Sequence, residues 1–188
     1  AAWRDRIGLV CQDEFILPCT VRDNVAPGGG VSDADIWAAL EQTGLAERIR
    51  KTPEKLGLAV GEQGERLSRG ERQRLGLARA LARKPDVLIL DEATSALNPV
   101  DEAEIIKGLA DRKGRMTTII IAHRLSTLVH ADRMITLENG HLTESGPARQ
   151  LASRPGSFAN RMQAADAPFA RVTEDAAPDP RPRVVRTG

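Results

Sequence analysis

Asp86-Val87-Leu88-Ile89-Leu90-Asp91-Glu92 sets four aliphatic residues in a row between carboxylates. So short a continuous apolar run predicts a strand buried on both faces of a parallel sheet. Its closing acids then stand at the C-terminal edge of the sheet, where ligands bind in open α/β folds. Asp91 can hold a Mg²⁺ there, mostly through water, because this small ion keeps its hydration. Glu92 can polarise an attacking water. An acidic strand end is also an ordinary solvated surface, so the neighbouring segments have to decide.

Upstream, Pro85 stops a helix that opens at Leu67-Ser68-Arg69-Gly70-Glu71-Arg72-Gln73. Ser68 and Glu71 have capping-box spacing. Free N–H groups and the dipole make such a helix end an anion site, with Ser68 as a donor and Gly70 allowing close backbone approach. An ordinary capped helix fits the same residues. Residues 6–12 predict a short buried strand running into the polar Gln12. Residues 25–33 predict a loop with three consecutive glycines, Gly28 to Gly30. Ser32, with Asp35 three residues on, starts a helix striped by Ile36, Trp37, Leu40 and Leu45. A short second helix is expected over 46–50.

Downstream, Pro99 suits the first turn of a helix whose buried side is Ile105, Ile106 and Leu109. Residues 117–122 predict a second fully buried strand. His123 follows it, at the sheet edge, where it can bond a terminal phosphate oxygen. Asn139-Gly140 between two alternating runs predicts a hairpin with a type I′ turn. Short helices are expected up to about residue 165. From Asp166 onward, Pro168, Pro178, Pro180 and Pro182 alternate with charged and small residues, and a disordered tail is expected.

Composition narrows the function classes. The 188 residues carry 27 basic and 26 acidic side chains, for a net charge of +1. That leaves no bulk electrostatic pull on nucleic acid or anionic membrane. Two tryptophans, three phenylalanines and no tyrosine leave few aromatic platforms for stacking single-stranded bases. No apolar run reaches the roughly 18 residues of a membrane helix. Cys11 and Cys19, without metal-ligand spacing, fit a reduced compartment.

Taken in order, the motifs resemble the nucleotide-binding domain of an ATP-binding cassette (ABC) transporter. Gln12 stands where that family has its Q-loop, and residues 67–73 resemble its signature motif. Residues 87–91, followed by Glu92, resemble Walker B and the catalytic glutamate. Ser95-Ala96-Leu97-Asn98 resembles the D-loop, and Ala122-His123-Arg124 the switch-histidine loop. Val60-Gly61-Glu62-Gln63-Gly64 is similar to the X-loop of exporters, as are residues 20–25 and 122–127. The resemblance spans residues 6 to about 163.

It implies an α/β, P-loop NTPase-like fold with a three-layer core and a helical subdomain over about 32–84. Residues 1–165 would form a partial ATP-binding domain and 166–188 the tail. It also implies ATP and Mg²⁺ as ligands, a transmembrane export domain and a second, head-to-tail nucleotide-binding domain as partners, and a place at the cytoplasmic face of the membrane. Glu92 would be the general base, Gln12 and Asp91 would lie near Mg²⁺ and the attacking water, and His123 would contact the γ-phosphate. Ser68, Gly70, Gln73 and Asn98 would face the partner's nucleotide.

The sequence departs from the family pattern in one large respect. No G-x-x-x-x-G-K-[ST] occurs, and none of the lysines follows a glycine. Only 11 residues precede Gln12, so the first strands, Walker A and the aromatic A-loop are expected to lie upstream of this chain. By itself the chain is then expected not to turn over ATP. Two alternatives follow: a non-catalytic module lending its signature helix to an intact partner, and a soluble ABC ATPase, which would need an insertion or tandem cassette. Arg69 replaces a common glycine, and Asn98 a common aspartate.

Overall fold

Strands β1 (Ile7–Val10) and β2 (Val87–Asp91) pair in parallel, in the register Ile7↔Val87 to Val10↔Leu90. The computed structural model describes residues 3–110, 114–122, 124–128, 130–158 and 184–187. These fall in two compact units, Ala1–Thr117 and Thr118–Gly188.

In the first unit, β1 and β2 are joined through helices α1 (Val21–Val25), α2 (Asp33–Gln42), α3 (Ala46–Arg50) and α4 (Arg69–Ala82). Helix α5 (Pro99–Ala110) follows β2. The predicted starts hold. Ser32 accepts from the Asp35 amide, and Ser68 and Glu71 form both bonds of a capping box. Helix α1 was not among the expected helices. It has its own box, with Thr20 capping and Asp23 reaching back. Ile36, Leu40, Leu45, Ile49 and Leu75 are fully buried and form the helical core. Each such side chain contributes about 1.5–3 kcal/mol through apolar burial.

Helix α4 lies over one face of β1. A Cβ on Gly8 would stand 3.3 Å from the Ala80 Cβ and 3.1 Å from Leu88 Cδ1, tighter than most Cβ contacts, so glycine eases the close approach of helix and strand. That packing explains two corrections. The strand at β1 was expected to be buried, yet only Gly8 and Val10 are covered, and Leu9 is 58% exposed. In β2, expected to be buried on both faces, Leu88 and Leu90 are buried while Val87 and Ile89 are half-exposed.

The second unit is built on the hairpin β4 (Arg133–Glu138) and β5 (His141–Pro147). Asn139 and Gly140 both take positive φ, 51° and 78°, as a type I′ turn requires. Strand β3 (Thr117–Ile121) buries Thr118 and Ile120 but leaves Ile119 and Ile121 half-exposed, so it too is covered mainly on one face. Helices α6 (Leu125–Leu128) and α7 (Ala148–Ser153) complete the connections. The tail differs from expectation at its end. Val184–Thr187 form β6, parallel to both β3 and β4, with Val185 opposite Ile120 and Met134. The β-branched Val184 and Val185 suit a strand, and Val185 and Arg186 are the residues paired in both ladders. Residues 166–183 lie outside those described.

Candidate functional site

The β1–β2 register brings two loops out at the same sheet edge. Val10 stands opposite Leu90, so Cys11-Gln12 and Asp91-Glu92 leave the ladder together. Gln12 and Asp91 are exposed, and Glu92 is half-buried. Glu92 has φ 50°, the left-handed region that costs a non-glycine residue about 1–3 kcal/mol. Its carbonyl accepts from the Ser95 amide at 3.1 Å. The turn thus re-aims the chain immediately after the strand. Partial burial, with the charges of Glu14 and Asp91, raises the Cys11 thiol pKa.

The opening of α4 faces the loop that follows β2. Ser68 is exposed, and its hydroxyl oxygen accepts from the Glu71 amide at 3.2 Å. A Cβ on Gly70 would lie 3.4 Å from the Ala96 carbonyl oxygen and 3.5 Å from Leu97 Cδ2. These are ordinary van der Waals distances, so the start of the helix packs against the 95–98 segment without requiring a glycine there. Gln73 is buried, only 3% exposed. Its Nε2 donates to the Gln12 carbonyl at 3.3 Å and to Ser95 Oγ at 3.2 Å, and its Oε1 accepts from the Ala96 amide at 3.0 Å. Asn98 caps α5: its Oδ1 accepts from the Val100 and Asp101 amides at 3.0 and 2.9 Å. Its amide donates to Asp101, which pairs with Arg74 at 2.8 Å.

Two residues that sequence reasoning passed over hold the loop after β1. Glu14 accepts from the Cys11 amide at 2.9 Å and from Arg79 at 3.4 Å. Arg79 Nε donates to the Asn24 carbonyl at 2.7 Å, Nη1 to the Phe15 carbonyl at 2.9 Å, and Nη2 to Asn24 Oδ1 at 3.1 Å. Burial pushes the Glu14 carboxyl pKa up and the Arg79 guanidinium pKa down, each against the pull of its partner. Desolvation outweighs attraction on both sides, as is common for inward ion pairs. Gly76 makes room for this arrangement, since a Cβ there would fall 2.3 Å from Glu14 Cγ. An arginine on the apolar side of a helix, ten residues after its start, was the signal available in the sequence.

The structure thus gathers Gln12, Asp91, Glu92, Ser68, Gly70, Gln73 and Asn98 within the first unit. His123 lies outside the described residues. Among the described residues no group of three His, Cys, Asp or Glu side chains is placed to hold a metal, and no helix is long and apolar enough to cross a membrane.

Comparison with known proteins decides the family. The family model described as ABC transporter matches residues 1–95, just over half of the 188. The chain belongs to the ABC transporter family.

Among curated relatives, the uncharacterized ABC transporter ATP-binding protein YwjA of Bacillus subtilis is 42% identical over 162 residues, 86% of this chain and 28% of that protein. A multidrug resistance ABC transporter ATP-binding and permease protein of Lactococcus lactis is 40% identical over 153 residues, 80% of this chain and 26% of the relative. Among solved structures, a bacterial Atm1-family ABC exporter with ATP bound matches with a TM-score of 0.80 at 38% identity, covering 87% of this chain and 29% of that one. The chain therefore spans under a third of the length of the relatives it matches, and its fold is that of an ABC ATPase. The family implies nucleotide binding. In this ABC chain, the segment resembling the signature motif and the segment resembling the D-loop are joined directly by Gln73.

Proposed function

We propose that these residues form the ATP-hydrolysing portion of an ABC exporter, at the cytoplasmic face of a membrane and coupled to a transmembrane export domain. What supports this most is the shared sheet edge that carries Gln12, Asp91 and Glu92, with Glu92 turned out of the strand by its positive φ. In this reading Glu92 takes a proton from the attacking water, and Gln12 orients that water. Attack is in line on the γ-phosphorus, so the residues contribute positioning and charge neutralisation more than covalent chemistry. His123 bonds the γ-phosphate.

The donor set suits Mg²⁺. An exposed carboxylate and a carboxamide are hard oxygen ligands, and Mg²⁺ keeps several waters instead of needing a full protein cage. Asp91 and Gln12 would hold the ion, which would supply neutralisation of phosphate charge. Ser68 and Gly70 would meet the nucleotide of a second, head-to-tail ATP-binding domain. Gln73 and Asn98, assigned to the same surface from the sequence, have their side chains engaged within the chain, so their contribution to that surface is through shape.

The test is a chimera in which these residues replace the matching segment of the Lactococcus relative. ATP turnover is expected in the chimera and should vanish in Glu92→Gln while nucleotide binding persists. Retained steady-state hydrolysis in Glu92→Gln would remove Glu92 from the role of base.

A further inference from the structure

One face of α4 follows the chain leaving β1 residue by residue. Arg69 approaches Asp13 at 4.0 Å, Gln73 holds the Gln12 carbonyl, Gly76 admits Glu14, and Arg79 holds Glu14 and the Phe15 carbonyl. Steps of four, three and three residues keep these positions on a single side of a helix. Of these, Gln73 also bonds to the loop after β2. Both of its N–H bonds and its carbonyl oxygen are used, on three partners in two loops, with the side chain 3% exposed. The exposed Asp13–Arg69 pair is too long and too solvated to tie the loops.

We propose that Gln73 is a positioning residue that locks the loop carrying Gln12 to the loop carrying Ser95 and Ala96, with α4 as the splint between them. The two loops then hold one relative position instead of drifting independently. This goes beyond the hydrolytic role proposed above and needs no nucleotide to test. A buried amide with every N–H paired is costly to replace, because each abandoned partner keeps its desolvation penalty. Gln73 therefore acts on the site through the two loops, and is not itself a group that touches substrate.

Amide hydrogen exchange on the full chain reads both loops at once. In Gln73→Met, which keeps the volume but removes all three bonds, the Ala96 amide should exchange about fivefold to tenfold faster. The Cys11 amide, bonded to Glu14 within the released loop, should speed up with it. Amides in the middle of α4 should stay within about twofold of wild type. Gln73→Glu retains an acceptor for Ala96 but neither donor. It should keep Ala96 protected while loosening Cys11, and it serves as the informative variant if Gln73→Met does not fold. Unchanged Ala96 exchange in Gln73→Met would overturn the proposal. So would uniform acceleration across α4 and both loops, or equal loss at Ala96 and Cys11 in Gln73→Glu.

Discussion

Replacing Arg79 by Met should destabilise the chain by about 2–3 kcal/mol, and the size follows from which partners are left stranded. The guanidinium serves four acceptors, but they do not lose equally. The Phe15 carbonyl belongs to an exposed residue and regains water. Asn24 Oδ1 keeps the Leu17 amide at 2.9 Å. The Asn24 carbonyl, on a buried residue, loses its charged donor, a loss of roughly 1–2 kcal/mol. Glu14 keeps the Cys11 amide but loses the positive charge that offsets its burial. Breaking a fully buried pair costs about 3–5 kcal/mol. Here the side chains are 22% and 10% exposed and 3.4 Å apart, so this part is nearer 1 kcal/mol. Urea unfolding should show a lower midpoint at unchanged slope. The double variant Arg79→Met/Glu14→Gln removes the stranded charge and should recover about 1 kcal/mol of the loss. A single-variant cost below about 0.5 kcal/mol, or a double variant no better than the single, would refute this account of the cluster.

Four further outcomes follow. Because burial raises the Glu14 pKa above its ordinary 4.5, the folded state takes up that proton before the unfolded state does. The wild type should therefore lose stability, relative to Glu14→Gln, as pH rises from near the ordinary carboxylate value through the raised one, and paired pH titrations of unfolding check the sign. Ser68→Ala breaks the capping box of α4 and should cost about 1 kcal/mol by the same assay, with Ser68→Thr largely restoring it. Asn98→Ala removes the acceptor for two amides of α5 and should cost about 0.5–2 kcal/mol, together with faster exchange at Val100 and Asp101. Gly140→Val forces a β-branched residue into φ 78° and should destabilise the β4–β5 hairpin by at least about 1 kcal/mol, read as accelerated amide exchange confined to that hairpin.

Local signals were legible wherever neighbours in sequence are also the physical partners. Ser68 and Glu71 are three residues apart and satisfy each other, so the start of α4 needed no tertiary knowledge. Asn139-Gly140 supplied both left-handed positions of its turn for the same reason. The run from Val87 to Asp91 announced a strand, and the order of Gln12, Ser68, Asp91 and Glu92 announced the family. Burial was misjudged at β1 and β2, because whether Leu9 or Ile89 is covered depends on which face α4 takes. Motif order placed Asn98 at the surface facing the partner's nucleotide; that its side chain also caps α5 followed only from the structure.

The sequence by itself determined the α/β class, the ABC family and the acids at the strand edge, because these rest on short-range periodicity and on motif order. Only the tertiary structure decided that Gln73 joins two loops, that Glu14 is pinned beneath Arg79, and that Val184–Thr187 pair between β3 and β4. In those cases the partners are 22 to 65 residues apart in the chain. Their contact depends on helix placement and strand register, which no local pattern encodes.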